Sequence, residues 1–179
     1  LGLAVLNDEL RGLGVEPDVL RMVDGSGLST MDGVTPEQLA VLLDNARERP
    51  WFQVWYDSLP VAGAADRMTG GTLRNRMGGT AAENNAHANT GSLTGVTSLS
   101  GYVTAANGQP LVFSVVFNQF LGNAPKDLED SIAVRLAEYS GPDERPSGRP
   151  AVPNSRYLVD NPDTPVDETS LECSWLKAC

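Results

Sequence analysis

The sequence predicts an α+β chain, an antiparallel sheet flanked by helices and followed by a Pro-rich tail. Three observations predict it. Apolar residues recur at helical spacing over 1–13, 35–50 and 125–141. Between the second and third of these stretches lie three runs of strand-forming residues, at about 86–93, 97–105 and 110–119. Beyond Gly141, Pro142, Pro146, Pro150, Pro153, Pro162 and Pro165 fall within 24 residues, interleaved with charge. Such a segment cannot bury enough apolar surface to fold alone. The chain therefore divides into a folded part, 1–140, and an acidic tail, 141–179.

Each element has its own warrant. Leu3, Leu6, Leu10 and Leu13 give the first helix an apolar stripe expected to pack on a core. "GVEPDVLRMVDGSGLS" then turns into a loop. In "TPEQLAVLLDNARERP", Thr35 is a helix cap, Pro36 suits the first turn and Gln38 completes a capping box. Leu39, Leu42, Leu43 and Ala46 form the apolar face of this helix, and Pro50 ends it. Residues 58–86, with Gly63, Gly70, Gly71, Gly78 and Gly79, read as a long irregular crossing. Asn107-Gly108 signals a hairpin in which both residues take positive φ. "LVFSVVF" is apolar on both pleat faces, so its strand should be covered on both sides. In "PKDLEDSIAVRLAEYSG", acids crowd the first helical turn, Leu128, Ile132 and Leu136 form a stripe, and Gly141 stops the helix.

Composition bounds the function. With 179 residues, 41% of them hydrophobic, the chain is long enough for one domain with a real core. A net charge of −10 argues against a nucleic-acid partner. No run approaches the roughly 18 apolar residues of a membrane span. The opening "LGLAVLNDEL" has no basic leader and reads as the middle of a polypeptide, so an export signal is expected upstream. Cys173 and Cys179 are too few for a disulfide framework, and no Cys or His cluster completes a metal site. They are read as one small bridge, as a link to another chain, or as two free thiols. His87 is the only histidine, and no serine-histidine-acid set can be built around it.

Two short segments carry the chemistry. "VDGSGLS", 23–29, holds a hydroxyl on a tight glycine-framed loop. "NTGS", 89–92, opens a strand with small residues, so an extended substrate could lie against its backbone. Gly91 removes a side chain at closest approach, and the Ser92 N–H could meet a developing oxyanion. Either segment alone is an ordinary glycine-rich turn.

In order along the chain, "VDGSGLS", "SLPVAG", "GTLRNRM", "TGSLTGVTSLSGYV" and "NGQPLVFSVVFN" resemble the C-terminal part of the penicillin-binding D-Ala-D-Ala carboxypeptidase/endopeptidase family, the low-molecular-mass class C enzymes. The resemblance runs from about Leu1 to Tyr139. It implies the serine β-lactamase-like transpeptidase fold, no cofactor, and an extracytoplasmic enzyme acting on peptidoglycan stem peptides and bound by β-lactams. It also implies three motifs: a Ser-x-x-Lys nucleophile, a Ser-x-Asn loop and a Lys-Thr-Gly strand. Carried over, Ser29 is the catalytic serine of the second motif, while Thr90 and Gly91 belong to the strand motif. Ser92 takes the oxyanion-side position.

The departures are as informative. No Ser-x-x-Lys is read anywhere in this chain, so the nucleophile motif is expected to be absent from it. It would come from the N-terminal half of the same domain, as a separate chain or a missing segment. Met31 or Asp32 stands where asparagine is expected, and Asn89 stands where the strand lysine is expected. Losing a charge-assisted contact to a carboxylate costs about 1.5–3 kcal/mol, or ten- to a hundredfold in rate or affinity. Three readings follow: a D-Ala-D-Ala carboxypeptidase completed from outside the chain; a transpeptidase-like pseudoenzyme serving as a binding or structural module; and a related serine amidase or esterase whose substrate lacks a terminal carboxylate. In each, Ser29, Asn89, Thr90 and Ser92 should converge on one cleft.

Overall fold

The computed structural model describes residues 2–141. The elements run α1 (Gly2–Gly12), α2 (Pro36–Ala46), α3 (Phe52–Ser58), α4 (Arg67–Gly70), β1 (His87–Leu93), β2 (Val96–Thr104), β3 (Pro110–Asn118) and α5 (Lys126–Ala137). Single 3-10 turns fall at Pro17–Val19 and Gly71–Leu73. The Pro-rich tail, with Cys173 and Cys179, lies outside the described residues.

The three strands form one antiparallel sheet in the order β1-β2-β3. Thr94-Gly95 alone joins β1 to β2, with Leu93 opposite Val96 and Gly95 at φ 72°. The β2–β3 connection differs from expectation, because only Gly108 takes positive φ, at 83°. Ala105 N–H bonds the Gln109 carbonyl at 2.9 Å and Gly108 N–H bonds the Ala105 carbonyl at 2.8 Å. This loop is longer than a two-residue turn, so Asn107 need not be left-handed. Its side chain instead accepts the Gln109 N–H at 3.0 Å.

Period-two alternation gives the sheet two covered faces. Ala88, Leu99, Val103 and Phe113 pack with Ala133 and Ala137 of α5. On the other face Tyr102 packs with Leu43 of α2, Leu59 and the aromatic side chains of α3. The Tyr102 hydroxyl donates to the Leu43 carbonyl at 2.8 Å, which ties the sheet to α2. The strand "LVFSVVF" is thus covered on both sides, Phe113 facing one layer and Val112 the other.

Three expectations about helices change. Of the α1 stripe only Leu10 is buried, and Leu3 and Leu6 are exposed. Thr35 does cap α2, accepting the Gln38 N–H at 3.2 Å. The Gln38 side chain does not complete the box, because it accepts the Glu16 N–H at 2.8 Å and pins the preceding loop. On α5 the buried face is Glu129, Ala133 and Ala137, spaced by one helical turn. The small alanines let the helix lie close on the sheet, which leaves Leu128 and Ile132 exposed. These two line an open groove with Phe117 and Leu136.

The segment 58–86 is irregular as expected, apart from α4 and the Gly71–Leu73 turn, yet it is core. Leu59, Val61, Ala62, Leu73, Met77, Ala82 and Ala86 are all buried. Its backbone satisfies itself: Ala62 N–H bonds the Ala86 carbonyl, Asn84 N–H the Ala62 carbonyl, and Gly63 N–H the Leu73 carbonyl. Buried backbone tolerates irregular geometry only with such pairing.

Candidate functional site

The serine loop is built by local hydrogen bonds. Arg21 and Gly33 exchange backbone bonds of 2.9 and 2.7 Å, closing the loop at its base. Asp32 accepts the Val23 N–H at 2.7 Å, and Asp24 accepts both the N–H and the hydroxyl of Ser26, at 2.8 and 2.9 Å. Those bonds from Ser26 hold the Asp24 carboxyl below the usual carboxylate range. The Ser29 Oγ accepts the Met31 N–H at 3.1 Å. Of the two residues standing where asparagine is expected, Asp32 is therefore committed to closing the loop, and Met31 is an exposed apolar side chain.

Ser29 lines a cavity of about 460 Å³ walled by Leu6, Leu10, Leu39, Leu42 and Leu93 among others. Leu93 is the last residue of β1, so the loop serine and the end of the motif strand meet in this cavity. Asn89, Thr90, Gly91 and Ser92 do not line it. They lie along the sheet edge on β1.

The direction of that edge follows from one bond. Ala88 N–H donates to the Pro60 carbonyl at 3.0 Å, away from β2, where Val61 bridges His87. N–H groups alternate in direction along a strand, so those of Thr90 and Ser92 point the same way as that of Ala88. The Pro60–Val61 cover reaches only the start of β1, and among the described residues neither N–H has an acceptor. The Thr90 hydroxyl donates to that of Thr72 at 3.0 Å, fixing one side chain of this edge. Asn89 is exposed and pairs across the sheet with Ser100, whose hydroxyl bonds Ser114 at 2.9 Å. A Cβ at Gly91 would meet only the Ser98 side chain, whose Oγ can swing aside, so packing within the sheet does not by itself demand glycine there.

Behind the edge lies a buried cluster that the sequence reading missed. Glu129 of α5 is fully buried and accepts from Arg76 at 2.8 Å, and Arg76 Nε bonds Asp130 at 2.8 Å. Burial pulls the Arg76 pKa down, but the hydrogen bonds and charges of Asp130 and Glu129 outweigh it and raise it. The other Glu129 oxygen accepts the Thr97 hydroxyl at 2.9 Å. The available signal was Glu129 at one-turn spacing from Ala133 and Ala137, which put a carboxylate on the buried face.

His87 belongs to the packing. Its ring stacks on Tyr56 at 4.1 Å between centroids, and burial lowers its pKa, so the neutral form is favoured. No group of three or more His, Cys, Asp or Glu that could hold a metal ion is gathered among the described residues. No helix there is long and apolar enough to cross a membrane. One sequence expectation needs correction: Ser174-Trp175-Leu176-Lys177 does have Ser-x-x-Lys spacing. It falls after the strand motif, in the reverse of the family's order, and outside the described residues.

The chain is also similar in sequence and fold to known proteins. The model of the D-Ala-D-Ala carboxypeptidase 3 (S13) family matches residues 1–139. A D-alanyl-D-alanine carboxypeptidase from an Actinomadura species is 46% identical over 178 residues, 99% of this chain and 31% of that relative. That match runs on through the Pro-rich tail. Penicillin binding protein 4 from Haemophilus influenzae superposes with a TM-score of 0.66 at 27% identity, over 77% of this chain and 32% of that one. Its complex with a β-lactam gives 0.65 at 25% identity, over 77% and 33%. The chain thus spans about a third of the length of the relatives it matches. It belongs to the S13 family of D-Ala-D-Ala carboxypeptidases.

Proposed function

We propose that this chain supplies the serine loop and the substrate-binding strand of a serine D-Ala-D-Ala carboxypeptidase/endopeptidase acting on peptidoglycan stem peptides. The observation that carries the reading is the open edge of β1, where Thr90 and Ser92 present N–H groups with no acceptor among the described residues. An extended peptide laid along this edge bonds to the strand as an added partner, and the Ser92 N–H meets the carbonyl oxygen as it becomes an oxyanion. Ser29 passes the proton, Thr90 and Asn89 hold the substrate's far end, and Gly91 keeps the backbone accessible. The nucleophilic serine and its lysine come from polypeptide outside this chain. Surfaces that such a segment would cover support this: the edge of β3, which has no partner strand among the described residues, and the exposed Leu3, Leu6, Leu128 and Ile132. The substrate places the protein outside the cytoplasm, with its signal sequence upstream.

The test uses the complete polypeptide and a fluorescent penicillin. Covalent labelling and release of D-Ala from a D-Ala-D-Ala peptide are expected. Ser92→Pro removes an N–H that faces away from β2, so the sheet tolerates it, and acylation should fall about 10²- to 10³-fold. Acylation of Ser92→Pro at the parent rate would exclude the oxyanion role. A parent that neither acylates nor releases D-Ala favours a second reading, a transpeptidase-like binding module. Asn89 in place of a cation and Asp32 tied into the loop are the features that favour it.

A further inference from the structure

A buried ion pair such as that of Glu129 with Arg76 is weak evidence of a stabilising role, since well-packed apolar residues of similar volume often serve as well. The contacts of Glu129 give a direction. Arg76 takes one oxygen, and the other faces the sheet and receives the Thr97 hydroxyl at 2.9 Å. Thr97 is itself buried and stands directly across from Ser92 in the β1–β2 register. Its Oγ1 also lies 3.2 Å from the Gly91 carbonyl oxygen. The hydroxyl's one proton lies between these two acceptors, nearer the carboxylate, so Thr97 bridges Glu129 and the Gly91 carbonyl. Glu129 thereby holds the Thr97 rotamer that reaches the Gly91–Ser92 peptide. A chain of contacts therefore runs from α5, through β2, to the strand that carries the open edge.

We propose that Glu129 is a positioning residue: through the Thr97 hydroxyl it sets the Gly91–Ser92 peptide, and so the aim of the Ser92 N–H on the open edge. The consequence for rate rests on the acyl-transfer reading above, while the geometric claim does not.

Three variants of the complete polypeptide test it: Thr97→Val, Thr97→Ser and Glu129→Gln. Amide hydrogen exchange is followed in the peptides covering 87–93, 110–118 and 36–46, together with the acylation rate and non-covalent affinity for a penicillin. Thr97→Val and Glu129→Gln should speed exchange in 87–93 at least about tenfold and leave the other two peptides unchanged, as for a local opening. Thr97→Ser, which keeps the hydroxyl, should match the parent. Acylation should slow by up to about a hundredfold in the first two variants with affinity nearly constant, as for a misplaced catalytic group. Unchanged exchange in 87–93 for Thr97→Val overturns the proposal. So does acceleration shared in proportion by all three peptides, because that is a core-packing role. If the parent is not acylated at all, the acyl-transfer reading fails, and the exchange pattern still decides the positioning claim.

Discussion

In the proposed site, Asn89 puts a neutral amide at the exposed start of the strand, where the family resemblance implies a cation. An amide offers a substrate carboxylate hydrogen bonds without charge. Asn89→Lys is predicted to raise the acylation rate by a fluorescent penicillin about ten- to a hundredfold. A parent that already acylates rapidly and is unaffected by the change would show that position 89 does not hold the carboxylate. Asp32 does not replace the asparagine implied for the loop motif, because its carboxylate accepts, as it does from the Val23 N–H, and has no N–H to donate. The lone histidine was legible as structural in the sequence, and the stacked ring on Tyr56 gives the reason.

At the scale of elements, the β1–β2 hairpin leaves no room for a side chain at Gly101. Gly101 sits opposite Ala88, and a Cβ there would run into the His87 carbonyl and the Ala88 Cα. The contact is with backbone, which cannot swing aside as a flexible side chain can. Gly101→Ala is predicted to destabilise by at least ~2 kcal/mol, a fall in Tm of about 5–10 °C by calorimetry. A Tm within a degree of the parent would mean that the two strands separate freely there. The α5 helix teaches the opposite lesson. Its leucine-isoleucine stripe was the obvious candidate for burial, yet the alanine face won, because close approach of a helix to a sheet favours small residues over large ones.

At the scale of the molecule, three strands and two covered faces make a real core, but not one that hides every apolar surface. Leu3 is 41% exposed, Leu128 55% and Ile132 38%, and among the described residues β3 ends the sheet with no further partner. Residues 1–141 expressed alone are predicted to bind a hydrophobic dye such as ANS strongly, and the complete polypeptide weakly. Equal dye binding by both would show that these surfaces are not covered by the rest of the protein.

The sequence by itself determined the α+β class, the three strands to within one or two residues, the capped second helix and the ordered motif strings. All of these rest on local signals: period-two alternation, turn chemistry, capping and spacing. Tertiary structure alone decided which face of α1 and α5 is buried, since both apolar and small residues lie at helical spacing and only the partner surface chooses between them. It decided that Gln38 bonds Glu16 rather than its own cap, and that Asp32 closes a loop, because those partners are 22 and 9 residues away. It also brought Arg76, 53 residues from Glu129, to that buried carboxylate behind the strand edge. No local pattern encodes such a pairing; it exists only once the sheet has placed its ends side by side.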